Sequence, residues 1–155
     1  MSNIINACSF SGHRDISIRD TDIACAVVDN IYNLYSHGCK DFYVGGALGF
    51  DMLAAMMLVS LKKKNLNLNI HFILPCADYN NKWCREDREK QNYLQTYAKE
   101  IVVLNESYHE GCMQERNRYL IDNTDCLIAL LNRNTGGTYY TYKYALKNAK
   151  KIILI

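Results

Sequence analysis

Short apolar runs alternate with longer, helix-spaced stretches from one end of the chain to the other. Residues 4–10, 42–44, 70–74, 101–104, 126–131 and 152–155 are mostly near-continuous runs of Ile, Leu, Val and Phe. Buried parallel strands have this pattern because helices cover both of their faces, whereas a half-exposed strand alternates apolar with polar. Each interval between them can hold a crossover helix, which needs about a dozen residues. Across 22–35, Ile23, Val27, Ile31 and Leu34 recur at helical spacing, and Gly38 follows as a stop signal. Residues 51–61 are apolar nearly all round, which predicts the most buried helix. Residues 82–98 are mostly polar around Trp83, Tyr93, Leu94 and Tyr97, which predicts a surface helix. Further helices are predicted over 113–121, after Gly111, and over 138–149. No repeat, linker or low-complexity segment interrupts the series. The expected fold is α/β: a Rossmann-like, doubly wound, mostly parallel sheet of five to six strands with helices on both faces. It is expected to occupy residues 1–155 as a single domain.

In such a sheet, ligands bind beyond the carboxyl ends of the strands, near the point where strand order reverses. The loops that follow the strands therefore carry the candidate chemistry. Ser11-Gly12-His13-Arg14 follows the first, and Gly45-Gly46-Ala47-Leu48-Gly49-Phe50-Asp51 the second. Asn132-Arg133-Asn134-Thr135-Gly136-Gly137-Thr138 follows the fifth. Five of the eight glycines fall in the last two loops, so the glycines are concentrated at one edge. Without a Cβ, a glycine backbone can approach a ligand closely. A glycine turn opening a helix also aims free N–H groups and the positive dipole end at an anion. Gly45, Gly46, Gly136, Gly137 and Thr138 are thus expected to cradle phosphate, with Arg14 and Arg116 supplying complementary charge. Ser11, Gly12, His13, Gly49, Asp51 and Asn117 complete the candidate ligand-binding set. The plainer alternative is that the glycines only make tight turns and Arg116 is solvated or salt-bridged. Two glycine loops at one sheet edge, beside Arg14, favour the ligand.

Composition narrows this little. The formal charge is +2, from 18 basic and 16 acidic side chains, which argues against a nucleic-acid partner. The basic run Lys62-Lys63-Lys64 stands at a helix C-terminus, where cations are favoured. The seven cysteines form no CxxC pair and the four histidines are scattered, so no metal site, no disulfide framework and no cofactor are expected. Free cysteines among apolar neighbours suit a reducing cytoplasm. The N-terminal stretch lacks the pattern of a signal peptide, and the longest apolar run, 52–59, is too short to cross a bilayer, so no membrane role is expected.

Phe10-Ser11-Gly12-His13-Arg14, Gly46-Ala47-Leu48-Gly49-Phe50-Asp51, Pro75-Cys76, Trp83, Asp87-Arg88, Gly111-Cys112-Met113, Arg116-Asn117-Arg118-Tyr119, Asp122 and Gly136-Gly137-Thr138 occur in an order that resembles one family. That family is the YpsA-like branch of the SLOG superfamily, which also holds the DNA-processing protein DprA and the cytokinin-activating LOG enzymes. The resemblance runs from about Cys8 to Ile155. It implies a Rossmann-like domain with a nucleotide-type pocket formed by the first, second and fifth loops. Met113-Gln114-Glu115-Arg116 is similar to the Met-x-x-Arg segment of LOG enzymes. Their glycine motif leads to a glutamate that serves N-glycosidic hydrolysis, whereas here Tyr139, Tyr140, Thr141 and Tyr142 follow. Ribosyl cleavage develops positive charge that a carboxylate would stabilise, and Asp51 is the remaining candidate for it. The leading expectation is a sensor or sequestering protein for a nucleotide or ADP-ribose-like molecule. The alternatives are a nucleotide N-glycosidase or phosphoribohydrolase, with Arg116 and Asp51 at its centre, and single-stranded DNA binding as in DprA. A homodimer is also expected. The pairs Tyr139/Tyr142 and Tyr140/Tyr144 take different sides of one helix, leaving one side for a partner or a ligand base.

Overall fold

The chain walks outward through four strands and then returns to the other side of the first. In the computed structural model, which describes residues 4–155, the strand order is β4-β3-β2-β1-β5-β6, with every neighbouring pair parallel. Residues 1–3, which open the N-terminal stretch considered above, lie outside the described residues. The elements are β1 Ala7–Gly12, α1 Thr21–Ser36, β2 Asp41–Val44, α2 Phe50–Lys63, β3 Asn69–Leu74, α3 Arg85–Gln95, β4 Glu100–Val103, α4 Cys112–Asp122, β5 Cys126–Leu130, α5 Gly136–Lys147 and β6 Lys151–Leu154. This is the doubly wound α/β sheet that the alternating pattern predicts. Strand order reverses between β1 and β5, which pair from Cys8↔Cys126 to Gly12↔Leu130. The loops after these two strands therefore flank one crevice.

The hydrophobic pattern places the layers. Helix α1 packs on α2 and α2 on α3, while α4 and α5 pack on each other. Phe10, Phe42, Phe50, Phe72, Leu53, Leu58, Leu68 and Ile70 are fully buried in the main core. Burying each such side chain contributes roughly 1.5–3 kcal/mol. A smaller cluster of Ile121, Leu127, Ala129 and Ala145 joins β5 to α4 and α5. Helix α2 is the most buried, as its composition predicts, whereas α3 buries only Gln91 and Leu94. Asp20 caps α1 by accepting the Ile23 N–H at 3.0 Å.

Element boundaries shift where backbone pairing overrides side-chain pattern. β1 begins at Ala7 because Ile4 is 74% exposed, and it reaches Gly12 because Ser11 and Gly12 pair with Ala129 and Leu130. Helix α3 begins at Arg85, after residues 78–83 fold into turns. There the Asn81 N–H donates to the Asp78 carbonyl and the Trp83 N–H to the Asn80 carbonyl. All seven cysteines are free, and burial pushes the Cys39 and Cys76 thiols up to about 12. Among the described residues, no helix is long and apolar enough to cross a membrane.

Two tyrosines of α5 bond to α4 through their hydroxyls. The Tyr140 hydroxyl accepts from Arg118 Nη1 at 2.9 Å, and the Tyr144 hydroxyl donates to Asp122 Oδ1 at 2.8 Å. Both partners belong to α4, while Tyr140 itself remains 38% exposed.

Candidate functional site

Three hydrogen bonds stitch the loops at the switch point into one wall. The Phe50 N–H, at the start of α2, donates to the His13 carbonyl at 3.1 Å and joins the first loop to the second. Gly49 makes this approach achievable. Its φ is 73°, and a Cβ there would run into the backbone carbonyl of Arg14. The Asn132 N–H donates to His13 Nε2 at 3.2 Å and joins the first loop to the fifth. The third bond runs from the Arg116 guanidinium to the Gly45 carbonyl and anchors α4 to the turn after β2.

Around this wall lies a cavity of about 290 Å³ lined by residues of four segments. The first loop supplies Ser11, Gly12, His13 and Arg14, the second Ala47 and Asp51. Helix α4 supplies Met113, Gln114, Arg116 and Asn117, and α5 supplies Gly137 and Thr138. Nine of the thirteen residues singled out from sequence meet here: Ser11, Gly12, His13, Arg14, Asp51, Arg116, Asn117, Gly137 and Thr138. Gly136, at φ 88°, lines an adjoining hollow with Arg133 and Asp15, which pair at 2.6 Å. Gly45, Gly46 and Gly49 do not line the cavity; they let the turn behind it close. A Cβ on Gly45 would stand 2.8 Å from both Asp51 Oδ2 and Arg116 Nη1.

The electrostatics are mixed at the floor and positive at the rim. Arg116 and Asp51 are both buried, 5% and 6% exposed. Burial draws the Arg116 guanidinium below its ordinary value, opposed by Asp51. Burial raises the Asp51 carboxyl, opposed by the Arg116 charge and by the Ala47 N–H, which it accepts at 3.4 Å. Arg116 also donates from Nε to Asn117 Oδ1 at 2.8 Å, so much of its hydrogen bonding is spent inside the protein. Arg14 is exposed, with Nη2 set 3.7 Å from Met113 Sδ. His13 is held below its ordinary 6.5 by burial and by Arg133, opposed by Asp15. Because Nε2 accepts a backbone N–H, the proton of the neutral ring sits on Nδ1.

The start of α5 is open. Thr135 gives it no side-chain cap, and among the described residues the N–H groups of Gly136, Gly137 and Thr138 have no acceptor. Helix α4 likewise starts at Gly111 without a side-chain cap. Two helix N-termini therefore bring partial positive charge to one cavity. Sequence reading missed Phe10, Ala47, Met113 and Gln114 as lining residues, although Met113 stood in the Met-x-x-Arg segment.

Comparison with known proteins places this arrangement. The YpsA model of the YspA SLOG family matches residues 13–153, from His13 of the first loop past the start of α5. The chain belongs to the YpsA SLOG family. It is similar to a UPF0398 protein of Halalkalibacterium halodurans, 27% identical over 141 residues that cover 90% of this chain and 71% of that protein. It is also similar to the SPbeta prophage-derived protein YoqJ of Bacillus subtilis, 26% identical over 118 residues, 68% of this chain and 69% of that one. Among solved structures, DNA processing protein A (DprA) of Streptococcus pneumoniae superposes with a TM-score of 0.69 at 15% identity. DprA of Helicobacter pylori, described for its single-stranded DNA binding mode, superposes with a TM-score of 0.66 at 19% identity. Each match covers 96% of this SLOG chain but only 50% and 64% of the DprA chains, so the likeness establishes a shared fold. It also corrects one expectation. A near-zero net charge argued against nucleic acid, but structural neighbours that include a single-stranded DNA binder overturn that exclusion. Net charge sums the whole surface and is silent about a local cleft.

Proposed function

We propose that this SLOG chain binds a phosphate-bearing, nucleotide-type small molecule at the carboxyl edge of its sheet, acting as a sensor or a sequestering protein. One observation carries the reading. The unpaired N–H groups at the start of α5 open beside a cavity that also holds Arg14 and the buried Arg116. Backbone donors, a helix dipole and guanidinium groups on one small volume suit a phosphate group. The Thr138 hydroxyl adds a further donor at the same place. His13 Nδ1–H, Ser11 and Asn117 provide neutral polar groups for a sugar or a second phosphate. Asp51 is the one carboxylate lining the cavity, and it sits at the floor. It is the residue through which an N-glycosidase activity would have to act, by stabilising charge on the ribose.

The test is a nucleotide panel incubated with the protein, with bound and free fractions analysed by mass spectrometry. Retention of an intact nucleotide, lost in a folded Gly137→Val variant, supports binding. Appearance of free base in the unbound fraction assigns hydrolysis instead, and Asp51→Asn should then abolish it. If the folded Gly137→Val variant binds as the wild type does, the cradle at α5 is refuted.

A second reading is single-stranded DNA binding, favoured by the DprA likeness over 96% of the chain. The same donors would then grip a backbone phosphodiester. Binding of an oligonucleotide whose affinity falls linearly with the logarithm of salt concentration would favour it.

A further inference from the structure

Past Arg14 and Met113 the phosphate cavity gives way to a second one of about 640 Å³, to which those two residues also contribute. Its character is different. Tyr79, Trp83 and Tyr108 form its aromatic surface, with Asp78 and Lys82 beside them. Tyr79 and Trp83 meet edge to face, their centroids 5.4 Å apart at 83°. That contact engages at most one face of one ring, so ring surface remains for a further planar group. The wall is also held in place. The Tyr79 hydroxyl accepts from Gln95 Nε2 at 2.9 Å, and the Trp83 N–H donates to the Asn80 carbonyl at 3.1 Å. Underneath, the Ala77 N–H donates to the Asn105 carbonyl, and Asn105 Nδ2 donates to the Pro75 carbonyl, both at 2.9 Å.

Size points the same way as chemistry. A cavity of about 290 Å³ lies at the lower limit for small-ligand sites, roughly 300–1,000 Å³, and suits a phosphorylated fragment better than a whole nucleotide. A molecule anchored at α5 must extend beyond it, and the aromatic cavity shares its boundary at Arg14. The two compartments together suit a ligand with an anionic end and a flat, apolar end.

We propose that the Tyr79–Trp83–Tyr108 cavity seats the nucleobase of the ligand whose phosphate lies at the start of α5, with Arg14 between the two. This rests on the nucleotide reading above. Asp78 also lines this cavity and brings a carboxylate to it.

Trp83 is the only tryptophan in the chain, so its emission, excited where tyrosine does not absorb, reports on this cavity alone. AMP, GMP, CMP and UMP should be titrated beside ribose 5-phosphate, which has the phosphate and no base. At least one mononucleotide should quench Trp83 saturably and bind about fivefold or more tightly than ribose 5-phosphate, which should bind without quenching. Tyr108 is 61% exposed, so Tyr108→Ala should fold, lose about fivefold in mononucleotide affinity and leave ribose 5-phosphate unaffected. Mononucleotides that bind by calorimetry no better than ribose 5-phosphate, leave Trp83 emission unchanged and ignore Tyr108→Ala would overturn the base cavity alone. If neither they nor ribose 5-phosphate bind, the phosphate reading falls as well.

Discussion

The guanidinium of Arg116, on α4, donates to the carbonyl of Gly45, 71 residues earlier in the chain. Two elements from opposite faces of the sheet thereby meet at the switch point, because Gly45 precedes α2 and Arg116 lies one turn into α4. A buried guanidinium must direct its N–H groups to acceptors, and a backbone carbonyl at a strand end has one to offer. The same contact puts a fixed positive charge near Asp51, so the floor of the cavity contains one charge of each sign. Arg116 thus shapes the turn as well as the field within it.

Truncating Arg116 should therefore cost stability even without ligand. Arg116→Ala leaves the Gly45 carbonyl without its donor and removes the charge opposing the burial of Asp51. A buried group left unsatisfied costs about 1–3 kcal/mol. Urea denaturation should show a lower midpoint with an unchanged slope. A midpoint equal to that of the wild type would mean that water replaces the guanidinium and that the contact does not hold the turn.

Two glycines of the site should respond oppositely to a single methyl group. In Gly45→Ala the Cβ stands 2.8 Å from Asp51 Oδ2 and Arg116 Nη1, so the floor must move, at a cost of roughly 1–3 kcal/mol. In Gly137→Ala the nearest atom is Asn117 Nδ2 at 3.7 Å, an ordinary contact. Stability there should be unchanged or raised by up to about 1 kcal/mol, because alanine favours the helix. Thermal melts of both variants, run beside phosphate or nucleotide titrations, separate turn-forming from ligand-facing glycine. Destabilisation by Gly137→Ala would contradict the open start of α5.

Arg14 differs from Arg116 in being exposed and free to reach a ligand. A charge-assisted hydrogen bond contributes about 1.5–3 kcal/mol, so Arg14→Ala should weaken an anionic ligand about tenfold or more by calorimetry. The melting temperature should barely change, because among the described residues the Arg14 side chain makes a single hydrogen bond, to Met113 Sδ at the surface. Full affinity in Arg14→Ala would remove this residue from the site.

The fold was legible because the information lay in runs of several residues. Cys126–Leu130 and Asn69–Leu74 are apolar enough to be recognised as buried strands without knowledge of their neighbours. The segments that line the candidate cavity include glycine loops legible at strand ends and the Arg116 stretch legible one turn into a helix. What escaped were contributions set by three-dimensional register. Nothing local shows that Gly45 supports the cavity from behind while Gly137 faces into it. Trp83 read as part of a helix over 82–98, but residues 78–83 turn before α3 begins, and that turn sets Trp83 against Tyr79. The aromatic cavity thus depends on a loop conformation that periodicity does not encode. The hydroxyl partners of Tyr140 and Tyr144 escape periodicity for a related reason: Arg118 and Asp122 lie 22 residues away, on another helix.

The charges of the cavity predict a pH dependence that can be measured with sulfate, an anion whose own charge stays constant across the range. Burial and Arg133 hold His13 below 6.5, so its ring is neutral near pH 7 and takes up a proton only as the pH falls below that value. Because the folded value is the lower one, the stability supported by the neutral ring is present above 6.5 and is lost as the pH falls through the folded value. Burial holds Asp51 above 3.8, so its carboxylate takes up a proton while the pH is still above that value. The folded value is here the higher one, so ionised Asp51 costs stability, and that cost is relieved as the pH falls towards 3.8. For a bound anion the two titrations act in the same direction, since each makes the cavity more positive as the pH falls from neutral towards 3.8. A coupling of about one pK unit corresponds to a tenfold change in affinity. Sulfate should therefore bind about tenfold more tightly at the acid end of this window than at neutral pH. Asp51→Asn keeps an acceptor for the Ala47 N–H and removes the negative charge, so it should bind sulfate more tightly at neutral pH and show a shallower dependence. An affinity that stays flat across the window in the wild type, in calorimetry at constant ionic strength, would place the anion away from both His13 and Asp51.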